Sequence, residues 1–225
     1  MNSWNLGGTM SRVAGILLAA GEGSRLGRPK ALVELGGQTL AERGVAMLRE
    51  GGADPVLVVT GAAPLRMATI HTVYNPEWRS GMGSSLAAGL RALGAETDGL
   101  GAGPDGLDRE PDPGSGAAVI ALADQPLVGA EAVRRLIAAY RRGAAVAVAC
   151  YGGQPRNPVL IAREHWPAVL ELATGDTGAR PFLRAHPELV TLVECGDTGS
   201  PDDIDTPADL ERLAGVTTAR SEEKP

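Results

Sequence analysis

The chain has 225 residues and a formal net charge of −6, with 44% hydrophobic and 21% charged residues, the balance of a protein that buries a core rather than of a disordered one. The acidic balance argues against duplex nucleic acid as the main partner, because that binding rests on a field of Lys and Arg. No apolar run approaches the roughly 18 to 20 residues of a membrane span. Aromatic content is only 3%, with Phe182 the single phenylalanine, so Ala, Val, Leu and Ile must fill the core.

In chain order, residues 1–12 read as an extension. They lack the basic-then-apolar order of a signal peptide, Met10 is an alternative start, and the expected location is the cytoplasm. Branched apolar runs predict strands at Val13–Ala19, Pro55–Thr60, Ala117–Leu122, Ala144–Cys150 and Leu189–Glu194. Apolar residues at helical spacing predict helices at Leu40–Glu50, Gly83–Leu93, Glu131–Arg141 and Pro207–Leu213. Alternation of the two implies a single α/β domain over 13–215, built on a mostly parallel sheet covered on both faces. In such sheets ligands bind at the carboxyl ends of strands, where the strand order switches.

Residues 95–116 are rich in Gly, Pro and Asp and read as a mobile surface insertion, a lid being the alternative. The insertion carries Glu96, Asp98, Asp105, Asp108, Glu110 and Asp112 against Arg109, so most of the net negative charge lies there and the rest of the chain is close to neutral. Residues 216–225 read as a polar tail. Cys150 and Cys195 have no CxxC or Cys/His spacing and are expected as buried free thiols.

The strongest local signal is GILLAAGEGSRLGRPK at 15–30, a branched strand running into a loop with Gly21, Gly23 and Gly27 and followed by Arg25 and Lys30. Such glycines let successive backbone N–H groups approach a phosphate chain whose charge the two cations offset. The loop matches neither GxxxxGK[ST] nor GxGxxG. Of the 21 basic residues only Lys30 and Lys224 are lysines, which singles Lys30 out. Asp124 ends the run AVIALA at the carboxyl end of a predicted buried strand, and Asp202, Asp203 and Asp205 precede the last predicted helix. Two such carboxylates, completed by phosphate oxygens and water, suit Mg²⁺. Taken alone, Asp124 reads equally as a turn cap before Pro126 and Asp205 as the N-cap of the Pro207 helix.

The pattern LAAGxGxRxGxPK resembles the signature of nucleotidyltransferases with a Rossmann-like fold. NPEWRSGMGSSLAAGL at 75–90, LADQP at 122–126, PVLI at 158–161, GDTGAR at 175–180 and DIDTPADL at 203–210 are similar to the MobA-like branch, and most similar to molybdenum cofactor cytidylyltransferases. The resemblance covers roughly residues 13–213. It implies a three-layer sandwich of the nucleotide-diphospho-sugar transferase type that moves CMP from a nucleoside triphosphate to a phosphorylated small-molecule acceptor such as a molybdopterin-type cofactor. A molybdoenzyme maturation partner goes with that reading.

The resemblance implies nucleotide binding by Leu18, Ala19, Ala20, Gly21, Gly23, Ser24, Arg25, Lys30, Asn75, Ser84 and Ser85, with Arg25, Lys30 and Asp124 catalytic. Mg²⁺ would be held by Asp124 and Asp205, Asp203 being the alternative to the latter. The pair Ala19-Ala20 goes with cytidine-type triphosphates, where guanylyl-transferring relatives carry a second glycine. For the acceptor it implies Arg156, Asn157, Asp176 and Arg180. Here the sequence departs from its relatives, because Gln154-Pro155-Arg156-Asn157-Pro158 replaces a Gly-His-Pro step. A phosphate acceptor is already ionised at neutral pH and needs no strong base, so His71, His165 and His186 are expected in structural roles. Three alternatives remain: a guanylyltransferase for another small phosphate, an NAD(P)H-dependent dye reductase of the same branch, and a nucleotide-binding regulator without turnover.

Overall fold

The computed structural model describes residues 12–65, 67, 70–98 and 114–213. The elements are β1 (Val13–Ala19), the short hairpin β2 (Glu34–Leu35) and β3 (Gln38–Thr39), α1 (Leu40–Glu50), β4 (Val56–Thr60), β5 (His71–Tyr74) and α2 (Met82–Asp98). There follow β6 (Ala117–Leu122), α3 (Ala130–Arg141), β7 (Val146–Tyr151), β8 (Gln154–Ala162), α4 (Trp166–Leu172), α5 (Arg180–Ala185) and β9 (Val190–Glu194). A last helix, α6, covers 207–213.

Seven strands form one sheet in the order β5-β4-β1-β6-β8-β7-β9. Pairs β1/β4, β4/β5, β1/β6 and β7/β9 are parallel, and β8 runs antiparallel to both its neighbours. The chain moves outward from β1 to β4 and β5, then crosses back to place β6 on the other side of β1. The strand order therefore switches between β1 and β6, and the crevice beyond their carboxyl ends is where an open α/β sheet binds ligands.

Alternation along β1 explains the layers. Val13, Leu17 and Ala19 pack with α1 and α3 on one face, while Ala14, Ile16 and Leu18 pack with α2, α4 and Phe182 of α5 on the other. Small helix residues bring both layers close to the sheet. A Cβ on Gly44 of α1 would stand 2.6 Å from Leu17 Cδ1, and one on Gly89 of α2 would stand 2.8 Å from Ile16 Cγ2. A third cluster of Val33, Leu35, Leu40, Ile204 and Leu213 ties the β2–β3 hairpin to the segment before α6. Helix α1 begins with a capping box in which Thr39 Oγ1 accepts from Glu42 N while Glu42 accepts from Thr39 N.

The predicted α/β class holds, with two corrections. Strand β8, which contains the PVLI stretch, is absent from the strands predicted above; Gly152 and Gly153, at φ of 58° and 78°, make a two-residue hairpin turn from β7. Register along this hairpin slips between Val148/Val159 and Ala149/Arg156, so Asn157 and Pro158 have no partners on β7. Helix α2 runs on through Asp98, so residues 95–98 are helical rather than part of an irregular insertion, as Ala95 and Glu96, both good helix formers, allow. The rest of the expected insertion up to residue 113, most of the expected extension 1–12 and the expected tail 216–225 lie outside the described residues. Cys150 and Cys195 are buried and unpaired. Among the described residues no helix is long and apolar enough to cross a membrane.

Candidate active site

The glycine loop leaves β1 at Ala19 and is tied down at both ends. Ala62 N donates to Ala20 O at 3.1 Å and Lys30 N to Gly21 O at 3.4 Å. Gly23, at φ 63°, is the position the fold cannot replace: a Cβ there would lie 2.2 Å from Arg28 O. Ala31, fully buried behind the loop, anchors the turn that carries Lys30.

The acidic side is assembled by backbone contacts. Ala123 N donates to Leu18 O at 3.1 Å, holding the end of β6 against the end of β1. Ile204 N donates to Asp124 O at 2.8 Å, and the buried Ile204 side chain fixes this segment in the third cluster. Thr206 caps α6 in exchange with Asp209, so Asp205 is not the cap that its position suggests and its carboxylate is left for another partner. That partner is Lys30. Its Nζ donates to Asp124 Oδ2 at 2.7 Å and to Asp205 Oδ1 at 2.5 Å, joining residues 94 and 175 positions away. Burial alone lowers the Lys30 pKa, but the charges and hydrogen bonds of Asp124 and Asp205 outweigh it and raise the value above 10.5. Asp203 shows the opposite balance for an acid: burial first, then the charge of Asp124, pushes its carboxyl above 3.8.

Two cavities meet at this ion cluster and share Leu18, Met82, Leu122 and Asp124. The smaller, of about 630 Å³, is lined by the glycine loop from Leu18 to Ser24, with Lys30, Trp78 and Ser85 among its other walls. The larger, of about 870 Å³, is walled by apolar side chains such as Leu86, Ile120 and Leu183, with Arg156, Arg180, Arg184, Asp203 and Asp205 among its charged walls.

The expected residues divide accordingly. Leu18, Ala19, Ala20, Gly21, Gly23, Ser24, Lys30 and Ser85 line the smaller cavity, and Arg156, Asn157 and Arg180 the larger. Asp176, expected on the acceptor side, lines the smaller cavity instead, because Gly81 at φ 111° lets the Gly175 backbone and the Asp176 carboxylate pack against the start of α2. Arg25 is exposed and lines neither cavity. Asn75 is buried and lines neither; it spends its amide on Ser84 Oγ at 2.8 Å and Ser85 Oγ at 3.1 Å, so it positions Ser85 rather than facing the cavity. Ser84 likewise turns to the carbonyls of Glu77 and Gly81.

Residues that sequence reasoning passed over are Trp78, Arg79, Gln125 and Arg184. Trp78 packs over Gly61 beside Ala20, with Arg79 stacked 4.3 Å from its ring centre. Its signal was the scarcity of tryptophan inside NPEWRSG. Gln125 is buried next to Asp124 and donates to Pro201 O at 3.0 Å, locking the 201–205 segment to β6.

A cavity ringed by a glycine loop and one ammonium, opening at a pair of carboxylates into a second cavity with arginines, can hold a polyphosphate in one compartment and an anionic acceptor in the other. The family model described as the MobA-like NTP transferase domain matches residues 15–190. Nicotine blue oxidoreductase of Paenarthrobacter nicotinovorans is 36% identical over 215 residues, covering 89% of this chain and 96% of that protein. The Opitutus terrae protein named "Probable molybdenum cofactor guanylyltransferase" is 40% identical over 86 residues, 38% of this chain and 43% of its own length. Among solved structures, the homologue of Mycobacterium tuberculosis Rv0371c from Mycobacterium sp. strain JC1 superposes with a TM-score of 0.73 at 30% identity, covering 92% of this chain and 98% of that one. Rv0371c itself, solved as a manganese complex, shares the fold at a TM-score of 0.67 and 22% identity, covering 91% of this chain and 99% of that one. With the glycine loop, Lys30 and Asp124 all inside the matched region and gathered at the switch point of the sheet, the chain belongs to the MobA-like NTP transferase family.

Proposed function

We propose that this single domain, residues 13–215, transfers a nucleotidyl group, CMP in preference to GMP, from a nucleoside triphosphate in the smaller cavity to a phosphorylated small molecule in the larger one. The observation that carries this reading is Lys30 bonded to Asp124 and Asp205 at the wall common to both cavities. Transfer requires the donor's α-phosphate and the acceptor's phosphate to meet in line, and this boundary is where two such ligands would touch.

The donor set fits a hard divalent cation such as Mg²⁺. Two carboxylates bonded to one nitrogen at 2.7 and 2.5 Å lie close enough for one ion to take both. Among the described residues no three acidic, histidine or cysteine side chains form a metal cluster, which leaves further positions to phosphate and water, the usual arrangement for Mg²⁺. When bound there, the ion would offset charge on the phosphoryl oxygens and the departing pyrophosphate. The protein's own share is positional: backbone N–H groups of the loop cradle the polyphosphate, Lys30 follows its charge, and Arg156 and Arg180 hold an anionic acceptor. The acceptor's phosphate oxygen forms the new bond to the α-phosphorus as the bond to pyrophosphate breaks; because that oxygen is already ionised, no side chain needs to remove a proton. Ala20 and Trp78 narrow the slot beside the glycine loop, which favours a pyrimidine base.

A second reading has a specific observation behind it, the 36% identity along nearly the whole length of nicotine blue oxidoreductase. In that reading the glycine loop holds NAD(P)H. Hydride transfer has no use for paired metal-binding carboxylates, which favours the first reading. Thermal melting with CTP, GTP and NADPH, each with and without Mg²⁺, separates the two. A ligand at a hundred times its Kd adds about 2.7 kcal/mol of stability, or roughly 5 to 10 °C for a domain of this size. That shift is expected for CTP with Mg²⁺ and smaller for GTP; stabilisation by NADPH alone overturns the transferase reading.

A further inference from the structure

Lys30 does more in this structure than wait for a phosphate. Its ammonium holds one oxygen from each of the two carboxylates that fit a divalent cation, and a divalent ion bound to the same pair would face that ammonium across a few ångströms. The lysine and the metal therefore compete for one place. The stem of the lysine runs beneath the glycine loop: a Cβ on Gly23 would stand 3.1 Å from Lys30 Cγ and one on Gly21 3.9 Å from Lys30 Cδ. Rotation about the last side-chain bonds swings the amine between the carboxylates and the loop without moving the backbone, which Ala31 anchors. A polyphosphate on the loop offers the amine a new anionic partner, and its departure frees Asp124 and Asp205.

We propose that Lys30 is an internal counter-ion that keeps divalent cations off the Asp124–Asp205 pair until a nucleoside polyphosphate draws it away, so that nucleotide and metal bind cooperatively. The inference rests on the nucleotidyl-transfer reading. It gives the lysine a role in the empty enzyme, where an unpaired carboxylate pair would otherwise bind metal without substrate. Coupling of this kind is reciprocal: whatever factor the nucleotide adds to metal affinity, the metal adds to nucleotide affinity.

The test is Mn²⁺ binding, read from the electron paramagnetic resonance signal of the free ion, with the wild-type protein, Lys30→Met and Lys30→Gln, each verified as folded by its melting transition. Without nucleotide, both variants are expected to bind Mn²⁺ at least tenfold more tightly than wild type. Adding Asp124→Asn to Lys30→Met should abolish the gain, locating it at this pair. With CTP present, and the Mn²⁺ that CTP alone takes up in a protein-free control subtracted, wild type should bind the ion and the advantage of the variants should shrink. Equal Mn²⁺ affinity of wild type and both variants in the absence of nucleotide overturns the inference while leaving nucleotidyl transfer standing, provided that wild type still takes up Mn²⁺ with CTP. Failure of every form to bind Mn²⁺ even with CTP overturns both.

Discussion

Lys30 links the glycine loop to residues far away in sequence, and its removal has two separable consequences. Its side chain and that of Asp124 are 20% and 22% exposed, while Asp205 is 45% exposed, so the pair with Asp124 is the more sheltered. Lys30→Ala leaves two neighbouring carboxylates without their counter-ion, which should cost about 1 to 3 kcal/mol, discounted from the fully buried case for the exposure of Asp205. Chemical denaturation at neutral pH measures that loss. Nucleotidyl transfer by the same variant should fall by about a hundredfold or more, as when a placed charge is taken from a transition state. Arg25→Ala should cost far less than Lys30→Ala, because Arg25 is exposed and lines neither cavity; an equal loss in the two variants would mean that the loop closes over its ligand.

Elements position these residues, and their stability has local sources. The capping box of α1 should contribute about 1 kcal/mol, read as the loss on Thr39→Ala. The backbone N–H of Thr39, then its hydroxyl, hold the Glu42 carboxyl below its ordinary 4.5, so the folded state has the lower pKa. That stabilisation is present above pH 4.5 and disappears as the pH falls through the folded value. Glu42→Gln should accordingly be less stable than wild type in urea titrations at pH 7, with the difference closing as the pH falls below 4.5. Where α1 ends against α3, a Cβ on Gly51 would stand 2.4 Å from Val133 Cβ and 3.0 Å from Ala130 O. Val133 is fully buried and stiff, so Gly51→Ala should destabilise the domain by about 1 to 3 kcal/mol despite the normal backbone angles of the glycine.

These same elements show why some of the fold was legible and some was not. β1, α1 and β6 begin and end where their apolar patterns do, because each is buried along its whole length or on one clear face. β8 was less so, because its first three residues, Gln154–Arg156, are exposed and include Pro155, and pairing rather than propensity makes that stretch a strand. The glycine loop and Asp124 could be read from local pattern alone. The Asp124–Lys30–Asp205 junction could not, since it depends on Ile204 reaching the end of β6 and on Thr206 rather than Asp205 capping α6. Asn75 stood among the ligand candidates by its motif; the structure places it buried, with its amide bonded to both serines.

At the scale of the molecule, net charge says little about the site. Asp98, Asp105, Asp108, Glu110 and Asp112 lie between α2 and β6 or at the end of α2, away from the loop in sequence, while the junction itself balances one ammonium against Asp124, Asp203 and Asp205. What decides the chemistry is topology. The crossing between β5 and β6 opens a crevice at β1 and β6, and β8, β9 and α5 extend it into a second compartment. A two-compartment crevice suits a reaction that joins two anionic molecules, provided that a cation stands between them. Incubation of the protein with a molybdopterin-type phosphate, Mg²⁺ and either CTP or GTP, with mass analysis of the small molecules and assay of pyrophosphate, examines this most directly. The expected result is a CMP adduct with matching pyrophosphate release, faster than any GMP adduct and lost in Lys30→Ala. Absence of pyrophosphate with either triphosphate, alongside oxidation of NADPH by the same protein with a dye as acceptor, would contradict it.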